Sequence, residues 1–137
     1  MKAALTALAA LVLVTAAACQ GNVFSLKLGD CYNGGSESEV SDVSVVPCTE
    51  AHDYEVFSVL TYAGDTFPGD SVIQSFAETE CVNAYEPYVG KSYESSEFYI
   101  RYLTPTSQTW ATGDRVIDCV LYSQSGKLTG SMRGSNR

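Results

Sequence analysis

The one histidine of this 137-residue chain, His52, stands in Cys48-Thr-Glu-Ala-His-Asp-Tyr-Glu, next to an acid and four residues after a cysteine. A carboxylate beside an imidazole can orient the ring and stabilise its charged form, which is how a general base is assembled. Cys48 with His52 imitates a Cys/His nucleophilic pair, but that chemistry needs a thiolate, and an oxidised cysteine has none. Glu50, His52, Asp53 and Glu55 offer donors to a cation. A lone histidine among carboxylates lacks zinc spacing, however, and no Asp-x-Asp-x-Asp-Gly calcium loop occurs, so the sequence assigns neither a metal nor a cofactor. Further along, Trp110 and tyrosines 85, 88, 93, 99 and 102 would form either a stacking surface for glycan or peptide, or the closure of a small core. Gly113-Asp114-Arg115 would hold an ion pair that fixes a turn. The candidate binding residues are therefore His52, Asp53, Trp110, Asp114 and Arg115. No catalytic residue is assigned, because adjacent residues of an extended strand point to opposite faces and no activated nucleophile is evident. A hydrolase centred on His52 would require a Ser or Asp brought to it by the fold.

The elements that must position these residues follow from the local pattern. Asp53 to Tyr62 suits a central strand, with Val56, Leu60 and Tyr62 on one face and Phe57 and Val59 on the other. Pro47 and the polar run Thr49 to Asp53 mark a turn into it, which leaves His52 and Asp53 at the strand mouth. Phe24 to Leu28 alternates as an edge strand, Val43 to Val46 resumes β character, and Asn33 to Glu39 reads as a flexible Gly/Ser/Glu loop. Asp70 is a good N-cap for a helix whose apolar stripe is Ile73, Phe76, Ala77, Cys81, Ala84, Tyr85 and Tyr88, with Pro87 ending or kinking it. Glu97 to Thr104 reads as a strand, Thr106 to Arg115 as a helical turn carrying Trp110, and Arg115 to Ser123 with Lys127 to Arg133 as a hairpin around Gln124-Ser-Gly. The architecture is α+β: a single disulfide-bonded domain, a mostly antiparallel sheet of about five or six strands with one main helix packed on it.

The start of the chain speaks of export. Met1-Lys2 precedes Ala3 to Val14, almost wholly Ala, Leu and Val, too short to span a membrane of about 20 residues but right for a signal-peptide core. It ends Val14-Thr-Ala-Ala-Ala-Cys19, which looks like a bacterial lipobox whose cysteine is lipidated, although Ala16 stands where a branched apolar residue is favoured. Five cysteines leave one odd in an exported chain, and lipidating Cys19 leaves Cys31, Cys48, Cys81 and Cys119 as an even set. Cys81 on the apolar helix face and Cys119 on the apolar face of Ile117, Cys119 and Leu121 would pin helix to sheet. That favours Cys31–Cys48 and Cys81–Cys119 among three connectivities. The expected organisation is a lipoprotein signal peptide over 1–18, a lipidated (palmitate-bearing) Cys19 with a short tether over 19–23, and an extracytoplasmic domain over 24–137. Ordinary secretion after cleavage at the same bond is the alternative.

Without residues 1–18 the net charge moves from −8 to −9, since Lys2 is lost. The charge is lopsided: residues 30–97 hold fourteen acids against Lys91, whereas residues 98–137 hold Arg101, Arg115, Lys127, Arg133 and Arg137 against Asp114 and Asp118. Such an acidic body argues against nucleic acid and against unaided adhesion to anionic polymers.

Several of these residues together form a pattern. Gly29-Asp30-Cys31, Val46-Pro47-Cys48 with His52-Asp53 and Glu55-Val56, Cys81 in the helix, Tyr88-Val89-Gly90, Thr104-Pro105-Thr106 with Trp110, Gly113-Asp114-Arg115, Cys119 and Leu128-Thr-Gly-Ser resemble the septum formation family of actinobacterial envelope proteins. The resemblance runs from about Phe24 to the end. It implies an extracytoplasmic domain, carried on lipoproteins or after membrane helices and linked by name to septum formation and cell division, with no established reaction to carry over. The expected function is a non-enzymatic, membrane-anchored docking module whose partners are envelope or division proteins. A module binding wall glycan or peptide is the second reading.

Overall fold

A computed structural model of the protein describes residues 20–22, 25–34 and 42–137. The signal peptide, Cys19, Val23, Phe24 and most of the Gly/Ser/Glu loop lie outside the described residues. Six strands form one sheet: β1 (Gln20–Asn22), β2 (Cys31–Asn33), β3 (Asp42–Val46), β4 (Tyr54–Thr61), β5 (Tyr99–Leu103) and β6 (Val116–Tyr122), in the order β1-β3-β2-β4-β6-β5. Every neighbouring pair is antiparallel. The main helix, α1 (Asp70–Val89), covers one face, and a short helix, α2 (Ser107–Ala111), carries Trp110. The chain is α+β, as its pattern implies.

The helix forms where its apolar stripe demands. Ile73, Ala77, Cys81, Tyr85, Tyr88 and Val89 are buried at spacings of three and four, against Phe57, Ile117, Cys119 and Leu121 of the sheet. Cys81 and Cys119 are joined across this interface, and Cys31 is joined to Cys48. Two details of the helix differ from expectation. Gly69, rather than Asp70, occupies the N-cap, and Asp70 is the first helical residue, where its charge complements the helix dipole. Nor does Pro87 end the helix, which runs on to Val89. It stops at Gly90, whose φ of 86° is costly for any side chain and whose N–H donates to the Glu86 carbonyl at 2.8 Å.

The central strand divides its side chains differently from strict alternation. Val56 pairs with Val120 and Ser58 with Cys119, so Phe57 is an extra residue on β4, a bulge. Its consequence is a change of parity. Phe57 faces the helix together with Leu60 and Tyr62, while Val56 lies on the opposite face with Tyr32, Val43 and Val120, in a second, smaller core that also takes Leu26. Val59 is left 40 % exposed.

Three further expectations give way to tighter structures. Residues 25–28 form no strand, because the chain turns at Lys27 to Asp30: the Asp30 carboxylate accepts from Lys27 N at 2.9 Å, and Asp30 N donates to the Lys27 carbonyl at 3.0 Å. Gln20–Asn22, expected as free tether, is instead an edge strand paired with Asp42 to Ser44. The hairpin partner expected over 127–133 is also missing. Among the described residues the segment's one β-bridge is His52 to Leu128, after which it bends at Gly130 (φ 85°), a conformation incompatible with a ladder.

The loop that Cys81–Cys119 closes has a sequence separation of 38, against 17 for Cys31–Cys48. On the chain-entropy relation the longer one contributes about 4 kcal/mol and the shorter about 3 kcal/mol. Urea unfolding of the Cys81→Ala/Cys119→Ala double variant is therefore expected to lose more stability than that of Cys31→Ala/Cys48→Ala; the reverse order would contradict the role of the helix-to-sheet bridge.

Candidate functional site

His52 sits where the turn after Cys48 meets β4, and the structure seals it there. Its backbone N–H donates to the Leu128 carbonyl at 3.0 Å and its own carbonyl accepts from Leu128 N at 2.8 Å, while the side chain is 0 % exposed. The ring's Nδ1 lies 2.8 Å from the Glu50 carbonyl. A carbonyl only accepts, so Nδ1 carries a proton. Nε2 points inward to Glu55, 3.9 Å from Oε2, and has no hydrogen-bond partner among the described residues. The ring therefore presents no exposed atom to a substrate.

Glu55, one residue into β4, is equally buried. A buried carboxylate is tolerated only when its lone pairs are satisfied. Here the Tyr88 hydroxyl donates at 2.7 Å, Ser131 Oγ at 2.6 Å and the Met132 backbone N–H at 2.8 Å. Burial, and then the carboxylate itself, push the Tyr88 phenol up to about 12, so it remains a donor. Glu55 thus ties helix, strand and C-terminal tail into one junction.

Asp53 goes the other way. Its carboxylate meets Lys127 Nζ at 2.6 Å and accepts from Gly34 N at 3.3 Å, on the partly exposed side of the strand mouth. His52 and Asp53 are adjacent in sequence but form no dyad. Cys31, His52 and Glu55 do bring ligand atoms within 4.8 Å of one another. The Cys31 sulfur is bonded to Cys48, though, and metals take thiolate rather than disulfide sulfur.

Trp110 is 5 % exposed. Its indole N–H donates to the Asp65 carbonyl at 3.1 Å, and Tyr62 and Phe67 pack edge-on at 5.9 and 5.5 Å. The Arg115 guanidinium lies 3.6 Å from the Trp110 ring centroid and donates to the carbonyls of Gly64, Asp65, Trp110 and Asp114. The expected Asp114 to Arg115 ion pair does not form among the described residues. Asp114 instead uses Oδ1 to accept from Val116 N at 3.0 Å. Of the candidate binding residues, His52, Trp110 and Arg115 brace the fold, and Asp53 lines a cavity.

The sequence reading missed two features. Asp118 is 5 % exposed with Oδ1 unpartnered, and burial, aided by Asp114 and Asp30, raises its carboxyl to about 7. Its signal was a lone acid inside the apolar run Val-Ile-Asp-Cys-Val-Leu of β6. The second feature is a row of tyrosines on the face opposite the helix. Tyr32 pairs with Tyr54, Tyr54 with Tyr122, and Tyr122 with Tyr99, at ring separations of 5.1, 5.8 and 5.8 Å. Three of the four had no special signal, because only strand order places them side by side.

A comparison with known families matches residues 28–136 to the septum formation family, a span that takes in both disulfides, Glu55 and the tail. The chain belongs to the septum formation family. A relative named "Putative lipoprotein LppN" in Mycobacterium tuberculosis is 30% identical over 115 residues, and one of the same name in Mycobacterium bovis matches equally. The alignment covers 80% of this chain and 63% of each relative, so the chain spans less than two thirds of their length. No solved structure matches it. The family and these relatives support a lipoprotein-type envelope module. Among the described residues no helix is long and apolar enough to cross a membrane.

Two variants test the buried acids. Glu55→Ala strands three donors and should cost at least about 2 kcal/mol in urea unfolding; a neutral result would remove Glu55 as the junction. Asp118 has a folded value above its unfolded one, so its protonated form is stabilising and that contribution is lost as pH rises from about 4 through about 7. Asp118→Asn should therefore raise Tm at pH 8 and leave it little changed at pH 4, and equal shifts at both pH values would contradict the assignment.

Proposed function

We propose that the protein is a non-catalytic, lipid-anchored binding module of the extracytoplasmic envelope, acting with the division machinery at septa. The observation that carries this reading is the fate of the groups able to do chemistry. His52 and Glu55 are fully buried in the junction that holds the tail, and Cys48 is oxidised. A general base must reach the proton it removes. The His52 ring is fully buried instead.

Anchoring is supported by the apolar leader ahead of Cys19, by the odd cysteine count, and by relatives that carry the name of lipoproteins. The acidic body, paired with a basic C-terminal third, suits docking to proteins better than adhesion to anionic wall polymers. The link to septa rests on the family.

In cells fed an alkyne-bearing palmitate analogue, wild-type protein should take up label and stay with membranes, whereas Cys19→Ser should do neither. An unlabelled, soluble wild type would overturn the anchor. His52→Gln, which keeps hydrogen bonding to the turn, should cost about 1 kcal/mol of stability and leave septum placement normal. Defective septa in that variant, with folding and level unchanged, would bring a catalytic reading forward.

A further inference from the structure

The face of the sheet turned away from α1 carries a feature that neither the buried junction nor the family accounts for. β4 and β6 place Tyr54 and Tyr122 opposite each other, and β5 adds Tyr99, which is 42 % exposed. The Arg101 guanidinium lies 5.4 Å from the Tyr54 ring centroid and donates to its hydroxyl at 3.2 Å, which fixes that ring's orientation. Beside the middle of the row, where β4 begins and β6 ends, opens a cavity of about 340 Å³, walled by Tyr54, Tyr122, Ser123, Gln124, Lys127 and Asp53.

The geometry points to a saccharide site here: Tyr99 and Tyr122 as a stacking platform, and the cavity beside Tyr122 and Tyr54 as the subsite for one neutral pyranose ring of a glycan. This rests on the reading of the protein as a binding module and names the ligand class.

Three observations favour this occupant. First, Lys127 Nζ and Asp53 Oδ1 are 2.6 Å apart and both remain partly exposed, so the cavity holds one charge of each sign and is neutral within an acidic chain. It neither selects an anionic polymer nor needs a cationic one. Second, the polar groups around it, an ammonium, a carboxylate, an amide and a hydroxyl, mix donors and acceptors as the hydroxyls of an uncharged sugar require, while Tyr122 beside it and the exposed Tyr99 offer apolar surface to its C–H groups. Third, the cavity lies on β4 and β6, which are paired on both sides; the sheet's free backbone edge on this flank is that of β5, one strand away from it. A peptide bound by strand addition needs one.

The test uses the full mature domain with tetramers of N-acetylglucosamine and of glucose as neutral probes, inorganic polyphosphate as the anionic control, and NMR of backbone amides as the readout. At least one sugar should shift the resonances of Tyr54, Tyr99, Tyr122 and Lys127, and polyphosphate should not. Tyr122→Ala should weaken binding about tenfold, the worth of one aromatic contact, and Tyr122→Phe should retain it. Tyr99→Ala, at the exposed end of the row, gives the same comparison should the central variant unfold. Binding by neither sugar, shifts confined to another face, or unaltered affinity in Tyr122→Ala and Tyr99→Ala would overturn the saccharide site. Failure here, with surface crosslinking in living cells still capturing envelope proteins, rejects the glycan and leaves the docking module standing. Failure of both rejects the binding role altogether.

Discussion

A carboxylate taken out of water must be supplied with hydrogen bonds, and Glu55 imposes that requirement on everything around it. Its three donors come from two separate stretches: the Tyr88 hydroxyl at the end of α1, and the Ser131 hydroxyl and Met132 backbone N–H of the tail. Neither stretch is close to Glu55 in sequence. The carboxylate therefore acts as a keystone whose satisfaction fixes where the helix ends and where the tail runs. Gly134 N donates to the Tyr88 carbonyl and Asn136 N to that of Val89, so the tail also supplies partners to the end of the helix. Gly90 is pressed here as well, since a Cβ would lie 2.6 Å from the Asn136 side chain.

Around that junction the disulfides divide the labour. Cys31–Cys48 staples β2 to the turn after β3, beside His52, and holds the strand mouth closed. Cys81–Cys119 fastens the middle of α1 to the middle of β6 within the larger core. The bulge at Phe57 links the two regions. By turning Phe57 towards Tyr85 and Tyr88 while Val56 faces away, it lets a single strand serve two cores and still deliver Glu55 to the helix side.

Much of this was legible in the chain, and the limits have physical causes. Helix α1, the β6 face and the two disulfides could be read because spacing of three and four, or of two, reports directly which side chains share a surface. A bulge leaves no such mark, and Val56 and Phe57 were accordingly assigned to the wrong sides. The tail defeated strand reading because Lys127 to Arg133 has local β character, whereas its conformation is set by Glu55, far away in sequence. The site suffered most. His52-Asp53 looked like a functional pair because adjacency in sequence is visible, but strand geometry sends the two side chains apart. The tyrosine row was invisible for the opposite reason, since its members meet only through register across four strands.

Strand β1 adds a mechanical property. It begins one residue after Cys19 and is held by three residues of pairing to β3 at the outermost edge of the sheet. Whatever holds the N-terminus, a pull on it is borne first by this short ladder and not by the core behind the disulfides. Its release would lengthen the leash by about 10 Å, at roughly 3.5 Å for each residue set free. Such a ladder acts as a mechanical fuse: a small slack that can be paid out under tension, and rewound when tension falls, without disturbing the rest of the sheet.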